Sequence, residues 1–213
     1  ERVDMQFQTN YNRTFGNHTI GATYVFERRE EKANWMNGER KFDFFTIGEL
    51  DNARESDQKV SGSSEHQAYL SHIGRLTYDY KGKYLFETNG RYDGSSKFPK
   101  KNRFGFFPSF AIGYNLSEEK YWAPLSPYVS KLKIRASWGL VGNDNTGMGR
   151  FAYLENLSLG AVGSYTMGID QNVTLSGPQW SRLLNEDLTW EVGEKINLGI
   201  DLQLFKALDL TVD

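Results

Sequence analysis

The sequence holds no cysteine in 213 residues, which excludes disulfides and thiol chemistry from this stretch of chain. Nor does it hold a run approaching the roughly 18 consecutive apolar residues of a membrane-spanning helix. A spanning β-barrel escapes that exclusion, because its strands are half apolar and only about 9–11 residues long. A dominant charge is also missing: 25 Lys and Arg stand against 27 Asp and Glu, for a formal net charge of −2. That balance removes the general electrostatic case for a nucleic-acid partner. The three histidines, His18, His66 and His72, form no pair at metal-ligand spacing. No G-x-S-x-G or phosphate-binding loop occurs. Gly142-Asn143-Asp144-Asn145-Thr146-Gly147 superficially resembles a calcium loop but lacks the terminal Glu and the full set of acidic ligands, so it reads as a turn. No catalytic, cofactor or metal site is expected, and the chain does not read as an enzyme. A charged-then-apolar leader is absent too. The sequence opens at Glu1 and closes on the alternation from Leu208 to Asp213, so a segment of something longer is expected.

What is plentiful is aromatic residues (15%) and glycine (21 residues), a composition that leans towards β structure. Between Leu70 and Leu140 the chain sorts into two rows in steps of two. Leu70, Leu76, Tyr78, Tyr80, Tyr84, Phe86 and Tyr92 share one parity. Phe104, Phe106, Phe110, Ile112, Tyr114 and Leu116 continue it, and then Leu132, Ile134, Ala136, Trp138 and Leu140. The other parity carries Arg75, Asp79, Glu87, Arg91, Asp93, Lys133 and Arg135. Successive side chains of a strand point to opposite faces, so these are two-faced strands, apolar on one side and charged on the other.

The same period recurs on either flank. Val3, Met5, Phe7, Thr9 and Tyr11 mark a first strand, and Ile20, Ala22, Tyr24 and Phe26 a second, joined through Phe15-Gly16-Asn17-His18, whose Gly and Asn can take positive φ. A tight turn is expected at Tyr80-Lys81-Gly82-Lys83-Tyr84. Ile196, Leu198, Ile200, Leu202 and Leu204 form a seventh strand, and the turn at Phe205-Lys206-Ala207 starts an eighth. From about Glu27 to Gln67 the pattern fails in mixed charge and Ser61-Gly62-Ser63-Ser64, which reads as a solvated excursion. Residues 144 to about 190 are a second long excursion. Asp93 to Arg103 is a polar loop, and Ser117 to Ser130 a connector with room for a helical turn. Pro108 lacks a ladder donor and predicts a bulge or kink in the fifth strand. Two residues break the rows: Ile73 lies on the charged parity and His72 on the apolar one, where it reads as a satisfied structural histidine.

The long connections all follow even-numbered strands, so they gather at one end of an up-and-down meander. Short turns at one end and long loops at the other is the layout of an outer-membrane barrel. None of the apolar rows contains Asp, Glu, Lys or Arg. Exclusion of that kind is expected at lipid, where an Arg or Lys facing the mid-bilayer costs about 2–4 kcal/mol. Tyr78, Tyr80 and Tyr84 crowd one end of the row and Tyr92 the other, as in an interfacial aromatic girdle. The expected fold is all-β: antiparallel up-and-down strands forming part of a transmembrane outer-membrane β-barrel. Residues 1–213 are read as one partial barrel domain of about eight strands. A soluble sandwich alternates as well. A sealed two-layer centre holding Phe104, Ile134 and Leu198 would overturn the barrel.

Several stretches resemble the SusC/RagA-type TonB-dependent outer-membrane transporters of Bacteroidota. They are Gly74-Arg75-Leu76-Thr77-Tyr78, Lys83-Tyr84-Leu85, Arg91-Tyr92-Asp93-Gly94-Ser95-Ser96-Lys97-Phe98, Gly105-Phe106-Phe107-Pro108-Ser109, and Leu132-Lys133-Ile134-Arg135-Ala136-Ser137-Trp138-Gly139 with Gly142-Asn143. Leu188-Thr189-Trp190-Glu191 and Asn197-Leu198-Gly199-Ile200-Asp201 complete the set. The likeness covers roughly residues 69–213; residues 1–68 fit only as two barrel strands and a loop. It implies a larger barrel with an N-terminal plug, of which this chain holds neither the plug, the remaining strands nor a segment assignable to the TonB contact. It implies an energy-coupled importer of glycan or peptide oligomers, partnered by a SusD-like surface lipoprotein and by TonB, in the outer membrane of a Gram-negative bacterium.

Under this reading Arg75, Glu87, Arg91, Asp93, Lys133 and Arg135 are lumen-facing charges, free to pair with a plug or with neighbouring strands. Trp35, Tyr153, Tyr165 and Trp180, on the long loops, are candidates for stacking on a sugar or peptide substrate. Trp190 shares their loop end, whereas Trp122 lies at the short-turn end. Folding of the loops over the barrel mouth would bury aromatics equally well. Two other readings fit the alternation: a self-contained eight-strand barrel acting as anchor or adhesin, and a secreted carbohydrate-binding β-sandwich.

Overall fold

The computed structural model describes residues 1–42, 48–53, 58–145, 147, 151–171 and 173–213, with the backbone alone at 52, 159–165 and 174–176. In chain order the strands are β1 (Arg2–Phe15), β2 (His18–Glu39), β3 (Lys59–Tyr80), β4 (Tyr84–Ser95), β5 (Phe104–Asn115), β6 (Val129–Asn143), β7 (Asn156–Met167), β8 (Val173–Arg182), β9 (Glu191–Leu204) and β10 (Leu208–Val212). Eight of them form one antiparallel sheet in the order β1-β2-β3-β4-β5-β6-β9-β10, and β7 pairs only with β8. The sheet is a meander of eight strands, with the β7–β8 hairpin outside it.

The register aligns the apolar row across the sheet. Tyr78 stands opposite Phe86, Phe86 opposite Ile112, Ile112 opposite Ala136, and Ala136 opposite Leu198. No second layer covers this face among the described residues. Phe104, Ile134 and Leu198 remain 42%, 45% and 69% exposed, which removes the sealed two-layer centre of a sandwich. The opposite face carries the charges, with one apolar island where Ile73 stands across from the buried Val25. His72 receives or donates a hydrogen bond through Nδ1 to the Tyr24 hydroxyl at 2.8 Å and packs its ring 5.3 Å from Phe26.

Three expectations change. Most of the Glu27–Gln67 excursion is not loop: β2 and β3 stay paired from His18↔Tyr80 to Glu39↔Lys59, leaving only 40–58 as the connection. At about 3.3 Å per residue the stretch of β2 beyond Lys32, where β1 no longer flanks it, projects roughly 20 Å. Arg28 and Glu30 occupy the parity that is apolar below while β2 is still flanked by β1 and β3, so the charges enter this row before the sheet narrows to the two-stranded β2–β3 ribbon past Lys32. The second excursion likewise contains a hairpin, β7–β8. Finally, Pro108 makes no bulge, since the β4–β5 register runs unbroken from Gly94↔Phe104 to Tyr84↔Tyr114. The β5–β6 ladder instead ends at Ser109↔Gly139, so the missing donor falls where no strand asks for one. The shift in register lies in β6, between Val129 and Lys131.

At the short-turn end, Gly16 takes positive φ while Asn17 does not, and Lys81 and Gly82 both do. Asp79 accepts from the Gly82 N–H at 2.6 Å, which fixes the second turn. Beside it the connector after β5 returns Glu119, whose carboxylate accepts from Lys83 Nζ at 2.9 Å and from the Tyr84 hydroxyl at 3.1 Å. The hydrogen bond between them holds the Lys83 ammonium above, and the Glu119 carboxyl below, their ordinary ranges. A raised lysine stabilises below its ordinary value and loses that share as pH climbs through the raised one. A lowered carboxyl stabilises above its ordinary value and loses its share as pH falls through the lowered one. Protease accessibility of residues 116–128 is therefore expected to stay flat from about pH 5 to 10 and to rise only outside that window.

Candidate functional site

The charged face is built from alternate residues of adjacent strands, so its side chains meet across the ladder. Arg75 donates through Nη2 to Glu87 Oε2 at 2.7 Å, and Asn89 links Glu87 to Ser109 on β5. Arg91 holds Asp93, two residues along the same strand, at 3.1 Å. Arg135 bridges Asp201 on β9 at 3.5 Å and Asp213 at 2.7 Å. Lys133 stands opposite Asp201 in the same register. At the long-loop end Arg29 and Arg2 share Asp4 at 2.7 and 2.8 Å. These are solvated pairs, each weak on its own. Their effect is to hold donors and acceptors in fixed positions on a wet wall. All six charges singled out from the sequence thus lie on one face, though in separate pairs and not in one cluster.

A hollow of about 690 Å³ opens on this wall, lined by Asp4, Glu27, Arg29, Arg91, Asp93 and Trp190 among others. It offers both signs of charge, amide groups and an indole edge. That donor set suits a polar, multiply hydrogen-bonding ligand, and it contains no nucleophile-base pair suited to covalent chemistry.

The upper rim of the hollow is a clasp made by two loops. Phe98, in the loop after β4, is completely buried against Ala152 and Leu188 from the 144–190 segment, with Tyr153 and Trp190 packed around them. The Phe98 and Trp190 rings lie 5.2 Å apart, and Phe107 of β5 meets Trp190 edge-on at 5.3 Å. Polar ties lock the same contact. Buried Ser95 donates through Oγ to Asp144 Oδ2 at 2.9 Å, and Lys97 Nζ reaches that oxygen at 3.3 Å. The Trp190 indole N–H donates to Arg103 O at 3.2 Å, and Lys101 pairs with Asp187 at 2.9 Å. The backbone is fitted to these rings: a Cβ on Gly142 would lie 2.0 Å from Phe107, and one on Gly105 2.5 Å from it.

Sequence reasoning left Ser95, Lys97, Phe98 and Asp144 without a role. Yet Arg91–Phe98, Gly142-Asn143 and Leu188–Glu191 are each among the segments that carry the family resemblance, and the structure brings parts of all three to one place. Gly142 and Asn143 of the calcium-like stretch belong to β6, Asp144 is engaged by Ser95 and Lys97, Asn143 Oδ1 accepts from the Asn145 N–H at 2.9 Å, and Thr146 lies outside the described residues.

The aromatic candidates scatter. Trp35 is 56% exposed on the projecting part of β2, and Trp180 is 53% exposed on β8. Tyr153 packs into the clasp, as does Trp190. Tyr165 stands opposite Leu175 in the β7–β8 ladder, and its side chain lies outside the described residues. No ring contact joins Trp35, Tyr153 and Trp180 among the described residues.

Over residues 1–213 the chain matches the family model of the TonB dependent receptor-like β-barrel. A TonB-dependent receptor of Formosa agariphila is 34% identical over 209 residues, covering 96% of this chain and 19% of that protein. The TonB-dependent receptor SusC of Bacteroides thetaiotaomicron is 38% identical over 133 residues, covering 62% of this chain and 13% of SusC. Among solved structures, the RagAB peptide importer in its closed-closed state is similar with a TM-score of 0.77 at 20% identity, over 96% of this chain and 22% of that one. The chain spans about a fifth of the length of these fuller matches.

Proposed function

This chain belongs to the TonB-dependent receptor β-barrel family of the outer membrane, and from that we propose that it forms part of the wall of an energy-coupled importer of glycan or peptide oligomers. One observation carries the reading: eight strands keep an uncovered apolar row on one face and paired charges on the other, with every long connection at one end. The apolar row meets lipid. Arg75, Glu87, Arg91, Asp93, Lys133 and Arg135 line a wet lumen, where they position a plug and passing substrate. Lipid gives no partner to an unpaired strand edge. β1 and β10 are the two edges of the sheet and do not pair with each other, so in this reading strands outside the chain complete the barrel. That arrangement also disfavours a self-contained eight-strand anchor.

Substrate enters from the long-loop end, past the clasp and the 690 Å³ hollow. A SusD-like lipoprotein sits over that mouth, and TonB acts from the opposite side through a segment beyond this chain. Trp35 and Trp180, exposed at the long-loop end, are the aromatic contacts left available to an oligomer. In cells carrying the full-length protein, fluorescent oligosaccharide or oligopeptide should accumulate and should stop accumulating when the proton-motive force is collapsed or TonB is deleted. Uptake indifferent to both treatments would rule out energy coupling, and failure to take up either class would rule out import.

A further inference from the structure

Past Lys32 the β2–β3 ribbon carries one large ring, that of Trp35, on the parity that continues the charged row of β2. Its neighbours are small. Ser63 stands directly opposite, Ser61 and Glu65 are its diagonal partners on β3, and Ala33 and Asn37 flank it along β2. Of these only Glu65 is long enough to lie across an indole. The Trp35 side chain accordingly stays open: the residue is 56% exposed, and it makes no ring contact and no side-chain hydrogen bond among the described residues.

The ribbon that presents this ring is held at its far end. Arg40 donates through Nη1 to Leu50 O at 3.1 Å and through Nη2 to Gln58 Oε1 at 2.8 Å, fastening both ends of the connection between β2 and β3. The Leu50 side chain lies over Gly38, 3.8 Å from where a Cβ would stand. Side chains mounted on paired strands with a tied end are positioned before a ligand arrives.

Charge separates this surface from the hollow. The hollow is lined by ion pairs such as Arg29 with Asp4 and Arg91 with Asp93. Around Trp35 the polar groups are two serine hydroxyls, one asparagine amide and one carboxylate. Their complement is an uncharged ligand that presents a flat apolar patch ringed by hydroxyls. A pyranose ring has that form: its axial C–H bonds make an apolar face that stacks on an indole, and its edge hydroxyls bond to short polar side chains. An oligopeptide would find no cation among these neighbours for its terminal carboxylate.

We propose that Trp35, with Asn37, Ser61, Ser63 and Glu65, forms a stacking platform for one sugar unit of an uncharged oligosaccharide, on the ribbon and apart from the hollow. The inference rests on the importer reading above and narrows the cargo at this site to the glycan class. Calorimetric binding of maltohexaose, xylohexaose and laminarihexaose to the purified full-length protein tests it. Binding measured this way needs neither TonB nor a proton gradient, which keeps the two readings separable. At least one of the three sugars should bind. Trp35→Ala should weaken that binding by about tenfold, and Trp35→Phe should recover part of the loss. Met36→Ala, next along the strand and on the opposite face, should leave it unchanged. A roughly tenfold rise in salt should also leave it unchanged, because no ion pair forms. Equal binding by wild type and Trp35→Ala, or binding of none of the three, would overturn the platform. So would Trp35-dependent retention of peptides from a casein digest. Trp35-dependent sugar binding by a protein whose uptake ignores TonB would overturn the importer reading and leave the platform standing.

Discussion

Leu198→Arg is expected to destabilise the assembled barrel by about 2–4 kcal/mol, while Asn197→Arg, one residue away, is expected to leave it nearly unchanged. Both residues lie in the body of β9, and both are uncharged. They differ only in face: Leu198 stands opposite Ala136 in the apolar row, and Asn197 opposite Ser137 on the charged wall. An arginine at 198 must carry its guanidinium into hydrocarbon or drag water in after it. At 197 it joins a face already holding Lys133 and Arg135. Urea titration of the full-length protein in lipid vesicles reads the difference directly. Equal costs at the two sites would contradict the assignment of faces.

The second large effect belongs to the clasp. Phe98→Ala removes the one completely buried aromatic among the described residues, and large-to-small changes of this kind cost about 3–5 kcal/mol. The loss should be largely local, because Phe98 packs on Ala152 and Leu188 and is linked to β5 through the Trp190 ring. Hydrogen exchange reads it well. The Asn185 amide, bonded to Tyr153 O at 3.1 Å, should exchange faster by about two to four orders of magnitude, since each ~1.4 kcal/mol is a factor of ten. Amides of the β4–β5 ladder should not change. Phe98→Leu, which keeps most of the volume, should restore most of the protection. A uniform acceleration across the sheet would mean that the clasp and the wall open as one unit.

The sequence rendered the wall readable and its superstructure opaque, for one physical reason. Where one side of a strand meets an apolar medium and the other meets water, the period of two is imposed on every residue, and Leu70 to Leu140 shows it. Past Lys32 on β2, where β1 no longer flanks it, both sides meet water. The ladder to Glu39↔Lys59 persists through backbone hydrogen bonds alone, and backbone bonds leave no mark on composition. The clasp escaped for a different reason. Phe98, Ala152 and Leu188 are single apolar residues in separate loops, and nothing local announces that they meet. Glu194 shows the limit of the rows themselves. It lies on the apolar parity of β9, across from Leu140, just beyond the point where the sequence pattern begins at Ile196. The indole N–H of Trp138 donates to its carboxylate at 2.6 Å.

The early end of the β5–β6 ladder has a consequence for how the wall closes above it. Above Ser109↔Gly139 the flank of β5 that faces β6 has no strand beside it, and rings take over: Phe107 closes on Gly142, and Trp190 on Gly105. Bare amides and carbonyls cannot stand in oil. On this flank the Phe107 and Trp190 rings stand where a neighbouring strand stands lower down, so the seam between β5 and β6 closes by side chains up to the clasp.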